Sequence, residues 1–150
     1  MPNTNFVSLL ILFAGFIIGL GAVTVIDLLG FLGRKSSYWT EATTRTHKVT
    51  KPLIWIGIVL AIIGGTLFYS TYEFNNIFIV HIISAIIMSL NGIFLSFSVS
   101  PFLINREKNG QGNVLLPKIW QIKITIAFII SFTAWWSNFI LIIYFISNRL

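Results

Sequence analysis

Residues 6–33, FVSLLILFAGFIIGLGAVTVIDLLGFLG, stay apolar past the roughly 20 residues an α-helix needs to cross a bilayer, and their reading decides the fold. Gly15, Gly19 and Ala22 fall near one another on one side of such a helix, where small residues let a second helix approach closely in lipid. The run also holds one carboxylate, Asp27, which hydrocarbon disfavours strongly unless protein shields it. This is a span that requires neighbours.

The chain supplies three more apolar stretches: 53–71 (LIWIGIVLAIIGGTLFYST), 77–99 (IFIVHIISAIIMSLNGIFLSFSV) and 119–147 (IWQIKITIAFIISFTAWWSNFILIIYFIS). Their β-branched residues would suit strands in water. In lipid, however, only helices and closed barrels satisfy their own backbone, and barrel strands alternate polar with apolar residues, which these do not. The expected class is an all-α membrane protein: one transmembrane domain, a four-helix bundle of two helical hairpins.

Composition agrees. Of 150 residues 56% are hydrophobic and 9% charged, against about a quarter charged in ordinary soluble domains, which leaves no room for a sizeable soluble domain. The net charge of +6 comes from basic residues in two connections and at helix ends, not from a folded basic surface, so no nucleic-acid partner is expected. Cysteine is absent, excluding disulfides and thiolate metal sites. The start, MPNTNF, lacks the basic n-region of a cleaved signal peptide, and the first span is read as retained.

The connection 34–52 carries Arg34, Lys35, Arg45, Lys48 and Lys51; the connection 100–118 carries Arg106, Lys108 and Lys118, with Lys123 about a turn further on. By the positive-inside rule both face the cytoplasm, and both termini lie outside, with the short turn 71–76. Arg149 is the exception. Within the first connection, SSYWTEATTRTHKVTK lacks Gly and Pro and reads as a surface helix or an extension of the second span, with Trp39, Ala42, Thr46 and Val49 on one face and Glu41 four residues before Arg45. NREKNGQGN reads as a flexible turn.

GFLGRK at 30–35 matches PFLINREK at 101–108, and KPLIW at 51–55 matches LPKIW at 116–120, which would place Pro52 and Pro117 in helix first turns. Two readings stand: a parallel repeat, or two hairpins that converged on basic loops and aromatic belts.

Small-residue stripes continue with Gly57, Ala61 and Gly65 in the second span, Ala85, Ser89, Gly92 and Ser96 in the third, and Ala127, Ser131, Ala134 and Asn138 in the fourth. Asp27 is either a proton-accepting or cation-binding group, or half of a structural pair with Lys123, Arg45, His47 or Asn91. His81 is read as a core histidine bonded to Asn138 or Tyr69, with haem ligation as the alternative. His47 lies at the cytoplasmic edge, too far away to share a haem. Trp135 and Trp136 need acceptors, so at least one should face protein. No catalytic set or metal-ligand spacing can be assembled.

The signals GLGAVTVIDLLGF, IWIG, IIGG, SLNG and ISFTAW, with Gly19, Gly21, Asp27, Asn91, Gly92, Ser131 and Trp135, resemble uncharacterised bacterial multi-pass inner-membrane proteins distantly similar to the copper-resistance protein D family. The resemblance spans all four helices and implies a bacterial inner-membrane location. With a short outer turn and no methionine or histidine cluster, no copper site is expected. Three functional readings follow. The first is a non-enzymatic bundle whose stripes seat a second copy or another membrane subunit. The second is a small proton- or cation-coupled transporter using Asp27, Asn91 and Lys123, with Asn138 among the buried polar groups. The third is a b-type haem protein using His81.

Overall fold

The structure is a computed structural model that describes residues 2–148, with side chains from residue 6 onward. Arg149, the basic exception at the carboxyl end, lies outside the described residues, as do the side chains of MPNTN. The elements are α1 (Pro2–Leu32), α2 (Ser37–Tyr69), α3 (Asn76–Phe94), α4 (Ser100–Lys108) and α5 (Lys118–Ser147). A π-helical turn, Leu95–Val99, joins α3 to α4, so Asn76–Lys108 is one long helix. The described residues contain no strand, and the four long helices are apolar and long enough to span a membrane. The chain is a multi-pass membrane protein built as two helical hairpins.

Both hairpin turns lie at one basic end. The first is tight, at residues 33–36. The second, residues 109–117, is held from below by Arg106, whose guanidinium donates to the carbonyls of Gln111 (3.3 Å), Val114 (2.9 Å) and Leu115 (3.3 Å). Gly110 takes the left-handed conformation (φ +71°) that turns the chain after α4. At the opposite end, residues 70–75 link α2 to α3. There the side chain of Asn75 caps α3 by accepting from the Phe78 amide at 3.0 Å.

The α1–α2 contact is backbone on backbone. A β-carbon on Gly57 would overlap the main chain of Gly19, one on Gly15 the main chain of Gly57 and Ala61, and one on Gly64 the main chain of Leu12. Lipid offers no hydrophobic force to pull helices together, so this close van der Waals fit holds the hairpin. Gly19 also faces α5, where its missing β-carbon makes room for the Trp135 ring. The α3–α5 seam is polar instead. Asn138 Nδ2 donates to Ser84 Oγ (2.9 Å) and to the Ala134 carbonyl (3.1 Å), Ser84 Oγ donates to Ala134 O (3.2 Å), and Asn91 Nδ2 donates to Ala127 O (3.1 Å). With α1 also packed on α5, the helices run in the order α2, α1, α5, α3, and α2 and α3 meet only loosely.

Several expectations change. The stretch 34–52 is, from Ser37, an extension of the second span, one of the two readings given for it, whereas residues 100–108, read as part of a connection, continue the third span. Pro52 therefore lies inside α2 rather than in a first turn, while Pro117 does precede α5 as its N-cap. The two prolines are not equivalent, which removes one support for a repeat. The buried face of the polar half of α2 is not Trp39–Ala42–Thr46–Val49 but Thr40, Thr43, Thr44, His47 and Thr50. Threonine can be buried here because its hydroxyl donates within the helix: Thr40 to Ser36, Thr43 to Trp39, Thr44 to Thr40 and Thr50 to Thr46. In α3, Ser84, Met88 and Asn91 are buried, one position before the stripe read from small residues.

Candidate functional site

The site grows from a register coincidence. Asp27 stands five residues before the end of α1, about 7–8 Å at 1.5 Å per residue, and the tight turn brings the polar half of α2 back alongside it. Asp27, Thr43, His47 and Lys51 line one largely enclosed cavity, closed on its other sides by Trp55, Ser96, Ser131 and Trp135. The cavity offers about 60 Å³ to water centres, room for a few waters at roughly 10–15 Å³ each. Asp27 and His47 are each 8% exposed, and Asp27 Oδ2 and His47 Nε2 have no hydrogen-bond partner in the protein. Burying such atoms unpaired is expensive, so the cavity is suited to hold what would satisfy them.

Lys51 is fixed by the π-helical turn. In that turn the Ser100 amide reaches back five residues to the Leu95 carbonyl. The Ser96 carbonyl accepts from Lys51 Nζ at 3.3 Å, and the Ser96 hydroxyl accepts from Trp55 Nε1 at 2.9 Å. Pro101 explains the widening, because it cannot donate to the Phe97 carbonyl and its ring crowds that carbonyl. π-Helical turns inside α-helices are frequent at functional sites, and this one points its Ser96 groups at α2. The cavity thus gathers a carboxyl, an imidazole and an ammonium from two helices, with a hydroxyl from the third and another from the fourth.

The residues singled out from sequence separate into four places. Asp27 is in the cavity. Of its four candidate partners, His47 alone shares that space; Arg45 pairs with Glu41 at 2.6 Å, Lys123 lies over the Trp120 ring at 4.8 Å, and Asn91 is spent on Ala127. No structural ion pair to Asp27 forms among the described residues. Asn91 and Lys123 flank a shallow outer groove between α3 and α5, away from Asp27, and Asn138 serves the α3–α5 seam. The structure does not bring Asn91 and Lys123 to Asp27. His81 places Nδ1 3.5 Å from the Tyr69 hydroxyl, with Nε2 unpaired, and lines a different cavity from His47. Trp135 is buried and Trp136 partly exposed. No group of three or more His, Asp or Glu that could hold a metal ion occurs among the described residues.

Sequence reasoning named His47 among the candidate partners of Asp27 but missed Lys51 and Ser96 as site residues. The signal was present: Thr40, Thr43/Thr44, His47 and Thr50/Lys51 recur at helical spacing across a stretch without Gly or Pro. No protein family, curated protein or solved structure matches the chain.

Proposed function

We propose that this chain is a small proton-coupled membrane carrier whose exchange site is Asp27 with His47, poised by Lys51. One observation carries the reading: two ionisable side chains on facing helices of a membrane bundle, each with an unpaired buried atom, line the same largely enclosed, water-sized cavity. A carboxyl and an imidazole in such a space can take up and release protons, and the volume admits water or a small ion rather than an organic substrate. The site lies toward the basic end, which in this reading faces the cytoplasm of a bacterial cell across its inner membrane, with both termini outside. Of the small-residue stripes, Gly15, Gly19, Gly57, Ala127, Ser131 and Ala134 are buried in contacts within the chain.

Proteoliposomes loaded with a pH-sensitive dye and given a pH step test the proposal. The wild-type protein should accelerate proton flux above empty vesicles, and the near-isosteric Asp27→Asn should abolish the excess while eluting as the same folded species. Equal flux in wild type and Asp27→Asn rejects it.

A further inference from the structure

The shallow groove between α3 and α5, about 400 Å³ in volume, is walled by Ile87, Leu90 and Phe94 on one side and by Lys123, Ile126 and Ile130 on the other. From Ile87 to Phe94, and equally from Lys123 to Ile130, it runs about 10–11 Å along the helices. Asn91 and Ala127 complete the lining, and there the Asn91 amide already donates to the Ala127 carbonyl at 3.1 Å. Lys123 is the one charged residue that lines the groove, and it stands at the end nearer the basic turns.

An ammonium facing lipid calls for a counter-charge. Lys123 is exposed five residues into α5, about 7–8 Å beyond Lys118, among the exposed Ile119, Ile122 and Ile126. Its side chain leans back toward the start of the helix, as long helical side chains do, and Nζ lies 4.8 Å from the centre of the Trp120 ring. Trp120 in turn stacks on Phe102 of α4, ring centroids 3.9 Å and planes 8° apart, so the cation is held at a fixed corner of the groove. The chain has four acidic side chains, and none is available to it: Asp27 lines the exchange site, Glu41 pairs with Arg45 and Glu107 with Lys48, each at 2.6 Å, and Glu73 lies in the connection at the opposite end.

The counter-charge must therefore come from outside the chain, and it must arrive on something that also covers apolar walls. A free anion has no use for Leu90, Ile126 and Ile130. A zwitterionic lipid brings its own cation to an end that already holds Arg34, Lys35, Arg45, Lys48, Arg106 and Lys108, whereas a lipid with net negative charge complements it. The Trp120–Phe102 pair sits where aromatic side chains mark the headgroup level, which puts Lys123 within reach of a phosphate and the rest of the groove at acyl-chain depth. We infer that the α3–α5 groove binds one anionic phospholipid from the leaflet at the basic end, its phosphate accepting from Lys123 Nζ and one acyl chain lying along Ile126, Ile130, Leu90 and Ile87.

Native mass spectrometry of the full chain in detergent, given equal amounts of phosphatidylglycerol and phosphatidylcholine with the same acyl chains, counts what stays bound. One phosphatidylglycerol per chain is expected, preferred about fivefold over phosphatidylcholine, the factor that corresponds to about 1 kcal/mol for a basic residue at an anionic surface. Lys123→Gln should bring the two lipids near parity and Lys123→Arg should restore the preference, while Lys118→Gln, at the same end but outside the groove, should leave it in place. Ile87→Trp, which fills the groove and keeps every charge, should remove the bound lipid. All three positions are exposed, so the fold tolerates these changes. Equal losses in the two Gln variants would mean diffuse attraction to the whole basic end and would overturn the site. So would undiminished preference in Lys123→Gln, undiminished binding in Ile87→Trp, or a wild-type protein that runs as a lipid-free dimer, which would give this face to a second copy.

Discussion

At the residue scale, polar side chains in this protein divide into those that are satisfied and those that are not. Asn91 and Asn138 belong to the first kind: each donates across the α3–α5 seam, and each is explained by packing. Asn91→Leu should therefore destabilise the fold by about 0.6 kcal/mol, the average for interhelical hydrogen bonds in lipid, and by no more than about 1.7 kcal/mol, in a denaturant titration, and leave proton flux unchanged. Asp27 and His47 belong to the second kind. His47→Gln should keep the fold and lower flux at least tenfold; unchanged flux would remove His47 from the site. Asp27 was legible in the sequence because a lone carboxylate in an apolar run stands out. His47 was legible only as one of four candidate partners, and Lys51 not at all, because their neighbours are basic and hydroxyl residues that resemble a solvated connection until the tight turn at 33–36 folds them onto α1.

At the scale of the element, α1 and α2 act as one unit because their backbones touch at Gly15, Gly19, Gly57 and Gly64. The small-residue spacing made the contact legible in advance at Gly57 and Ala61, but it put Gly65 in the stripe where the structure has Gly64 against α1. A β-carbon on Gly65 would meet only Leu12 Cδ1, at an ordinary 3.8 Å, whereas one on Gly57 would collide with main chain. Gly57→Ala is thus predicted to destabilise by about 1–3 kcal/mol, the usual penalty for overpacking, and Gly65→Ala to change stability little. Thermal unfolding in detergent distinguishes them, and equal effects would contradict this register. The π-helical turn was hidden from sequence because Pro101 falls in the stretch 100–118, which reads as a connection rather than as the middle of a helix. Its contribution is testable through Trp55→Phe, which removes the indole donor to Ser96 and should lower stability by about 0.5–1.5 kcal/mol.

For the whole molecule, length and hydropathy were enough to define four spans and two hairpins, since lipid leaves the backbone few alternatives. What they could not give is the angular placement of the helices: the α3 stripe of Ala85 and Ser89 faces a groove open to lipid, and Ser84, Met88 and Asn91 make the core contact. That rotation leaves the α2–α3 gap. The chain has no cysteine, so single-cysteine reporters are clean. Gln111→Cys in the second basic turn should react with an impermeant maleimide only from the cytoplasmic side, and Phe74→Cys only from the other. The reverse pattern would invert the orientation and put the exchange site near the outer surface.

The most direct measurement of the central claim uses an apolar carbodiimide, which attacks a carboxyl only when it carries a proton and dissolves in the bilayer. Applied to the wild-type protein in vesicles, it should modify Asp27 in preference to Glu41, Glu73 and Glu107, as read by peptide mass spectrometry, and proton flux should fall in step with that modification. Label confined to the three glutamates, or flux that persists with Asp27 fully modified, would contradict a proton-exchanging carboxyl in the cavity.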